Sequence, residues 1–171
     1  MTHQPIEAAG AVLRPTGPQD LATLRALFDD PGFHEQWGGR PLANEEILVK
    51  YTGRRAPRVE CFIVEENGIP VGFAQYHLAD DGDDGGGIDL VLSPEVRGRG
   101  LGSAVVHALV AYLRGQRGWR RITVDPDVAN PRGVNFWRAV GFQDEQLIGS
   151  DPQRQPYWLM KWPTNNEVAE P

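Results

Sequence analysis

Two carboxylates stand where strand-like apolar runs meet turns: Asp89 in Gly87-Ile88-Asp89-Leu90-Val91-Leu92, and Asp125 at the end of Arg121-Ile122-Thr123-Val124-Asp125. A carboxylate so placed can bind an ammonium group and take its proton, directly or through water, as the amine meets an electrophile. Alternation sends Ile88 and Leu90 to the face opposite Asp89; the plainer reading is a strand-end carboxylate paired with an arginine. Asp125-Pro126-Asp127 is equally an ordinary turn and helix-entry segment. Just beyond Asp89, Arg97-Gly98-Arg99-Gly100-Leu101-Gly102-Ser103 joins an apolar strand to an apolar helix. Its glycines allow a sharp bend and close approach of a ligand to the main chain. The helix start offers unpaired N–H groups and a partial positive charge, an arrangement suited to phosphate. Arg97 and Arg99 add full charges. The turn is not a dinucleotide G-x-G-x-x-G, because Ser103 stands at the last glycine, and not a P-loop, because it contains no lysine.

Other residues are weaker candidates. Trp37, in Gln36-Trp37-Gly38-Gly39, either covers a sugar ring or packs a long loop. Gln75 falls on a strand beside the expected cleft, where an exposed polar residue is also ordinary. The carboxylates of Asp80–Asp84 form a solvated hairpin tip or a guide for a polycation. Cys61 reads as core packing, and His107 as a core-edge residue of an apolar helix.

These groups need elements to hold them. Ala11 to Pro15 reads as a first strand after a polar, frayed start over Met1 to Gly10. Gln19 to Phe28 is a helix with Leu21, Leu24, Leu27 and Phe28 on one face, stopped at Asp29-Asp30-Pro31-Gly32. Asn44 to Tyr51 is a second helix with Asn44 as its N-cap. Val59–Glu65 and Ile69–Leu78 are strands joined by the Asn67-Gly68 turn. Asp80 to Gly87 is a loop before the Ile88–Leu92 strand. The helix from Leu101 to about Arg114 is apolar on two stripes, Leu101/Val105/Leu109/Leu113 and Val106/Val110, as suits a helix buried between layers. Arg121–Asp125 is then a strand parallel to the one before that helix, as in a βαβ unit. Asn130 to Val140 is a helix ending at Gly141. Phe142–Leu147 and Tyr157–Trp162 close the sheet. The expected class is α/β with a mixed, largely antiparallel sheet and flanking helices, a single domain with an ordered core over about 11–162 and a polar tail at 163–171.

Composition narrows the function. The chain has 171 residues, 40% hydrophobic and 23% charged, which is ordinary for one globular domain. A net charge of −6 argues against nucleic acid as partner, since that needs a basic footprint, and is compatible with a cationic substrate. One cysteine excludes an intrachain disulfide and a cysteine-based metal cluster, and no metal is expected. The chain has no apolar run of membrane-spanning length and no secretory pattern at its start, so the cytoplasm is the expected location.

Arg97-x-x-Gly100-x-Gly102 resembles the acetyl-CoA pyrophosphate loop of the GNAT N-acetyltransferases, whose pattern is Q/R-x-x-G-x-G/A. Asn130-x-x-Gly133-x-x-x-Trp137-x-x-x-Gly141-Phe142 is similar to their second motif, N-x-x-A-x-x-x-Y-x-x-x-G-F, one helix and one strand further on. Gln36-Trp37-Gly38-Gly39, Gly72-Phe73-Ala74-Gln75, Gly87-Ile88-Asp89 and Thr123-Val124-Asp125-Pro126 resemble the bacterial aminoglycoside 6′-N-acetyltransferases, over about Leu13 to Phe142. The resemblance implies acetyl-CoA as co-substrate and direct transfer to a primary amine, most simply the 6′-amine of an aminoglycoside. The alternatives are another small amine (a siderophore precursor or polyamine) and a non-catalytic acyl-CoA sensor. It further implies that Leu90, Val91 and Leu92 lend backbone groups to pantetheine and the acetyl carbonyl. Arg97, Gly98, Arg99, Gly100, Gly102 and Ser103 take the pyrophosphate, and Asn130 bonds the pantetheine arm. Asp89 and Asp125 then face the amine, beside Trp37 and Gln75. Trp137 departs from the family's Tyr, proposed as the acid for the leaving thiolate. An indole cannot serve so, which leaves Tyr157, or departure as the thiolate itself.

Overall fold

The computed structural model describes residues 4–34, 37, 40–82 and 84–164. They form two compact units, each built from two stretches of chain: Met1–His77 with Asp89–Tyr112, and Leu78–Ile88 with Leu113–Pro171.

In the first unit, β1 (Ile6–Ala8) pairs antiparallel with β2 (Ala11–Pro15). The start of the chain was expected to fray; instead Ile6 is buried, and that single apolar side chain in a tight hairpin fixes a strand too short to show a period. A turn at Pro18–Asp20 leads into α1 (Leu21–Asp29), α2 (Pro31–His34) and α3 (Asn44–Lys50). Buried Asp20 anchors the entry to α1: it accepts from Gly17 N–H at 2.8 Å and from both terminal nitrogens of Arg14 at 3.1 and 3.0 Å. Asn44 is not the cap of α3. Ala43 holds that position in extended backbone, while Asn44 Oδ1 accepts from Arg25. The acidic first turn, Glu45 and Glu46, supplies the favourable charge at the helix start instead.

β3 (Val59–Glu66) and β4 (Ile69–Leu78) meet through Asn67-Gly68, both with positive φ as the hairpin turn requires. Leu24, Phe28, Ile47, Tyr51 and Phe73 form the core under these strands, with Trp37 packed against it. Burying each such large side chain is worth roughly 1.5–3 kcal/mol. β5 (Gly85–Leu92) contributes its second half here, completing the order β1-β2-β3-β4-β5. α4 (Leu101–Gly115) follows, with Val105, Val106, Leu109 and Val110 all buried, as the two apolar stripes require.

In the second unit the first half of β5 pairs parallel with β6 (Arg121–Val124), Gly85–Gly87 lying against Arg121–Thr123. Those three glycines were expected in a loop. Their pairing with β6 makes them strand, and at Gly85 the neighbouring backbone leaves no room for a side chain: a Cβ there would sit 2.7 Å from the Arg121 carbonyl oxygen. α5 (Pro131–Val140) buries Val134, Trp137 and Val140 on one face. β7 (Gln143–Ile148) pairs antiparallel with β8 (Tyr157–Lys161), and β8 with β6. Only the β5–β6 pair is parallel among the pairings described, so the sheet is mixed and largely antiparallel, as expected.

Candidate active site

In the first unit, β4 and β5 approach closely because Gly72 has no side chain. A Cβ there would lie 2.6 Å from the Val91 carbonyl oxygen, and Ser93 N–H donates to Val71 C=O at 2.8 Å. That seats the end of β5 so that Asp89 lies beside Gln75. Gln75 Nε2 donates to Asp89 Oδ2 at 2.9 Å, and His77 Nδ1 lies 3.7 Å from the same oxygen. Cys61 is the register partner of Gln75, with Sγ 3.7 Å from Oε1. Burial pushes the Cys61 thiol up to about 12, so it stays neutral, with the Lys50 carbonyl at 3.6 Å as a second acceptor for its one proton. One carboxylate oxygen of Asp89 is thus oriented by protein, while its side chain keeps 28% exposure. No sequence signal pointed to His77, although its spacing two residues beyond Gln75 puts it on the same strand face.

The glycine-rich turn has the backbone a phosphate cradle needs. Gly98 and Gly100 have φ of +75° and +82°, and among the described residues nothing beyond the chain neighbours lies within 4 Å of a Cβ at either. The first main-chain bond of α4 runs from Ala104 N–H to Gly100 C=O, so the N–H groups of Leu101, Gly102 and Ser103 precede the helical ladder. The arginines are more committed than their sequence suggests. Arg97 donates to the carbonyls of Leu92 at 2.8 Å and Gly32 at 3.0 Å, and Arg99 pairs with Glu66 at 3.0 Å. Ser103 Oγ lies 3.4 Å from His107 Nδ1, and His107 is exposed rather than at the core edge. Trp37 is half-buried. Its Nε1–H donates to Tyr51 Oη at 2.9 Å and its ring meets Phe73 edge-on at 5.3 Å, so it packs its loop. Gln36, Gly38 and Gly39 lie outside the described residues, as does Asp83.

In the second unit, Asp125 takes a hydrogen bond from Arg154 Nη1 at 2.7 Å. Asn130 caps α5, its Oδ1 accepting from Gly133 N–H at 3.0 Å. That use leaves the amide nitrogen as the part of Asn130 suited to a further acceptor. Asn130→Ala should therefore cost about 1 kcal/mol of stability, the usual value of a lost cap, seen as a lower denaturant midpoint with unchanged slope. An unchanged midpoint would remove the capping role. Trp137 is buried, with its ring edge-on to Phe142 at 5.3 Å. Among the described residues no group of three or more His, Cys, Asp or Glu is placed to hold a metal ion, and no helix is long and apolar enough to cross a membrane.

Residues 21–142 match the model of the acetyltransferase (GNAT) family. The chain belongs to that family. Among curated relatives of this GNAT chain, the aminoglycoside N(6′)-acetyltransferase type 1 of Klebsiella pneumoniae is 30% identical over 153 residues, covering 80% of this chain and 75% of the relative. A chloroplastic serotonin N-acetyltransferase of Oryza sativa is 34% identical over 136 residues, 77% of this chain and 60% of its own length. Among solved structures, AAC(6′)-Ib in complex with paromomycin and acetyl-CoA superposes with a TM-score of 0.80 at 26% identity, over 93% of this chain and 96% of that one. In this acetyltransferase Trp137 stands where the family motif has Tyr, and its buried, aromatic surroundings fit packing. Trp137→Phe should keep most of kcat in a folded variant. A hundredfold loss, ~2.7 kcal/mol in the barrier, would show a chemical role for the indole.

Proposed function

We propose that this chain transfers the acetyl group of acetyl-CoA to a primary amine, the 6′-amine of an aminoglycoside, by direct attack in a ternary complex. The observation that carries the reading is the oriented, part-exposed carboxylate of Asp89, held by Gln75 beside the end of β5. Support comes from the relatives above, one named as an aminoglycoside 6′-acetyltransferase and one solved with paromomycin and acetyl-CoA.

The open glycine turn fits a pyrophosphate: main-chain N–H groups from Gly98 to Ser103 bind it, while Arg97 holds the turn to Leu92 and Gly32. Backbone groups of Leu90, Val91 and Leu92 bind pantetheine and meet the oxyanion, and the Asn130 amide nitrogen bonds the pantetheine arm. Asp89 binds the substrate ammonium and accepts its proton as the nitrogen reaches the thioester carbon. A C–N bond forms, the C–S bond breaks, and the sulfur leaves as a thiolate, which takes up the second proton of the attacking nitrogen through water; with a thiol pKa of about 8.5 its departure needs no strong acid. Asp125 binds a cationic group of the substrate. Acetylation would abolish the charge of an aminoglycoside amine, hence resistance. The whole chain acts as one catalytic domain, and the use of acetyl-CoA goes with a cytoplasmic location.

A second reading, another small amine, is favoured by the 34% identity to a relative named as a serotonin N-acetyltransferase. The test is thiol release from acetyl-CoA across kanamycin, gentamicin, polyamines, arylalkylamines and hydroxylamine-type amines. Release with kanamycin or gentamicin and not with the other amines supports the first reading. No release with any aminoglycoside ends it.

A further inference from the structure

The geometry points to Arg154 as a built-in cation that occupies Asp125 and sets the charge a substrate must carry to displace it. The inference rests on Asp125 being a substrate carboxylate. Arg154 Nη1 donates to Asp125 Oδ2 at 2.7 Å, and Nη2 donates to the Asp125 carbonyl at 2.7 Å and to Asp127 Oδ1 at 3.4 Å. The guanidinium centre lies 3.6 Å over the ring of Tyr157, a favourable cation–π distance. Two carboxylates thus share one guanidinium on an aromatic platform, the arrangement that would also recognise an alkylammonium.

The loop is built to hold that cation in place. Asp151 Oδ1 accepts from the N–H groups of Gln153 and Arg154 at 2.7 and 2.8 Å, and the backbones of Asp151 and Arg154 bond to each other. The loop is laced to the segment after β6 by Val128 N–H to Pro156 C=O and Trp158 N–H to Pro126 C=O. Arg154 is therefore aimed by its backbone. Its side chain keeps 37% exposure and that of Asp125 40%, so water and other cations reach the pair, and a pair this exposed is exchangeable rather than a fixed buried bridge.

A ligand that must first displace an internal competitor binds more weakly by the fraction of time the site is free. A polycation offers other charges to compensate the displaced guanidinium; a monoamine does not. Arg154 is thus a specificity-determining residue: it weakens binding of every cation at Asp125 and excludes weakly charged amines most.

The test compares wild type, Arg154→Gln, Asp125→Asn and the double variant, in steady-state kinetics and in calorimetric titration with kanamycin. Arg154→Gln should lower KM for kanamycin about two- to fivefold, the span expected for an exposed ion pair, with KM for acetyl-CoA unmoved. The gain should shrink in high salt and vanish when Asp125→Asn is added. A folded Arg154→Gln with unchanged or raised KM overturns the inference, as does a gain that survives Asp125→Asn. Arg154→Lys, which keeps the charge but cannot bridge both carboxylates, should give a smaller gain and serves if Arg154→Gln does not fold. If wild type acetylates no aminoglycoside, the functional reading falls by itself. Calorimetry still decides this inference: tighter kanamycin binding by Arg154→Gln supports it, and equal binding removes it.

Discussion

Asp89→Asn is expected to lower kcat/KM for kanamycin by about 10²–10⁴, the range for loss of a general base, while acetyl-CoA affinity barely changes. Asn keeps the shape of Asp, and its amide oxygen can still accept from Gln75 Nε2, so the local hydrogen bond survives and only basicity and charge are lost. The pH dependence has a definite sign. An alkyl amine with a pKa of about 10 is almost entirely ammonium at pH 7, and each unit of added alkalinity raises its neutral fraction about tenfold. The wild type removes the proton through Asp89, so its rate depends less on that fraction. The variant must wait for amine that is already neutral, so its kcat/KM should climb more steeply as pH rises from 7 to 9.5 and should partly recover. Steady-state profiles of both proteins over that range are the measurement. Wild-type kinetics in the variant would end the proposed role of Asp89 and leave the acetyl-CoA side standing.

The second large effect is expected at the phosphate turn. Gly100→Val should weaken acetyl-CoA binding by at least tenfold while the protein stays folded. Gly100 has φ of +82°, a region that costs a non-glycine residue roughly 1–3 kcal/mol, most for a β-branched one. Among the described residues nothing beyond its chain neighbours lies within 4 Å of a Cβ there, so the side chain meets no packed neighbour among them. The strain falls on the turn, where a backbone shift would misalign the N–H groups of Leu101 and Gly102, and the isopropyl group fills the space a phosphate would use. Calorimetric titration with acetyl-CoA, beside a thermal melt, separates the two effects. Unchanged affinity in a folded variant would take the pyrophosphate out of this turn and the transfer reaction with it.

Most elements could be read from the chain because their signals are local. α4 shows its burial in two apolar stripes, α5 its end in Gly141, and the β3–β4 hairpin its turn in Asn67-Gly68. Where reading fails, the deciding interaction is distant or negative. Gly85–Gly87 reads as loop because glycine has poor strand propensity, and at Gly85 it is the closeness of Arg121 on β6 that leaves no room for a side chain. β1 is held by one buried isoleucine. At the candidate site, the placement of Gln75 by Asp89 follows from strand alternation once the two strands are taken as neighbours, and His77 follows from the same rule. Arg154 had no such signal: it stands 29 residues from Asp125, in a polar loop whose only local mark is an aspartate that turns the backbone. Arg97 shows the opposite error. Its position in the motif suggests an anion ligand, yet two of its nitrogens hold main-chain carbonyls.

The strand order of the second unit bears on the protein's birth. β8 lies between β6 and β7, and both hydrogen-bond to it, although it follows both in the chain. A nascent chain that has emerged only through Ile148 has β6 and β7 with no strand to join them. The ladder closes when residues through Lys161 leave the ribosome, with Arg154 arriving just ahead of them. Until that moment the growing polypeptide carries two unmated strand edges, which are templates for association with other chains. Anything that delays the emergence of β8 after β7 lengthens that exposure, so chaperone demand should persist until β8 has paired.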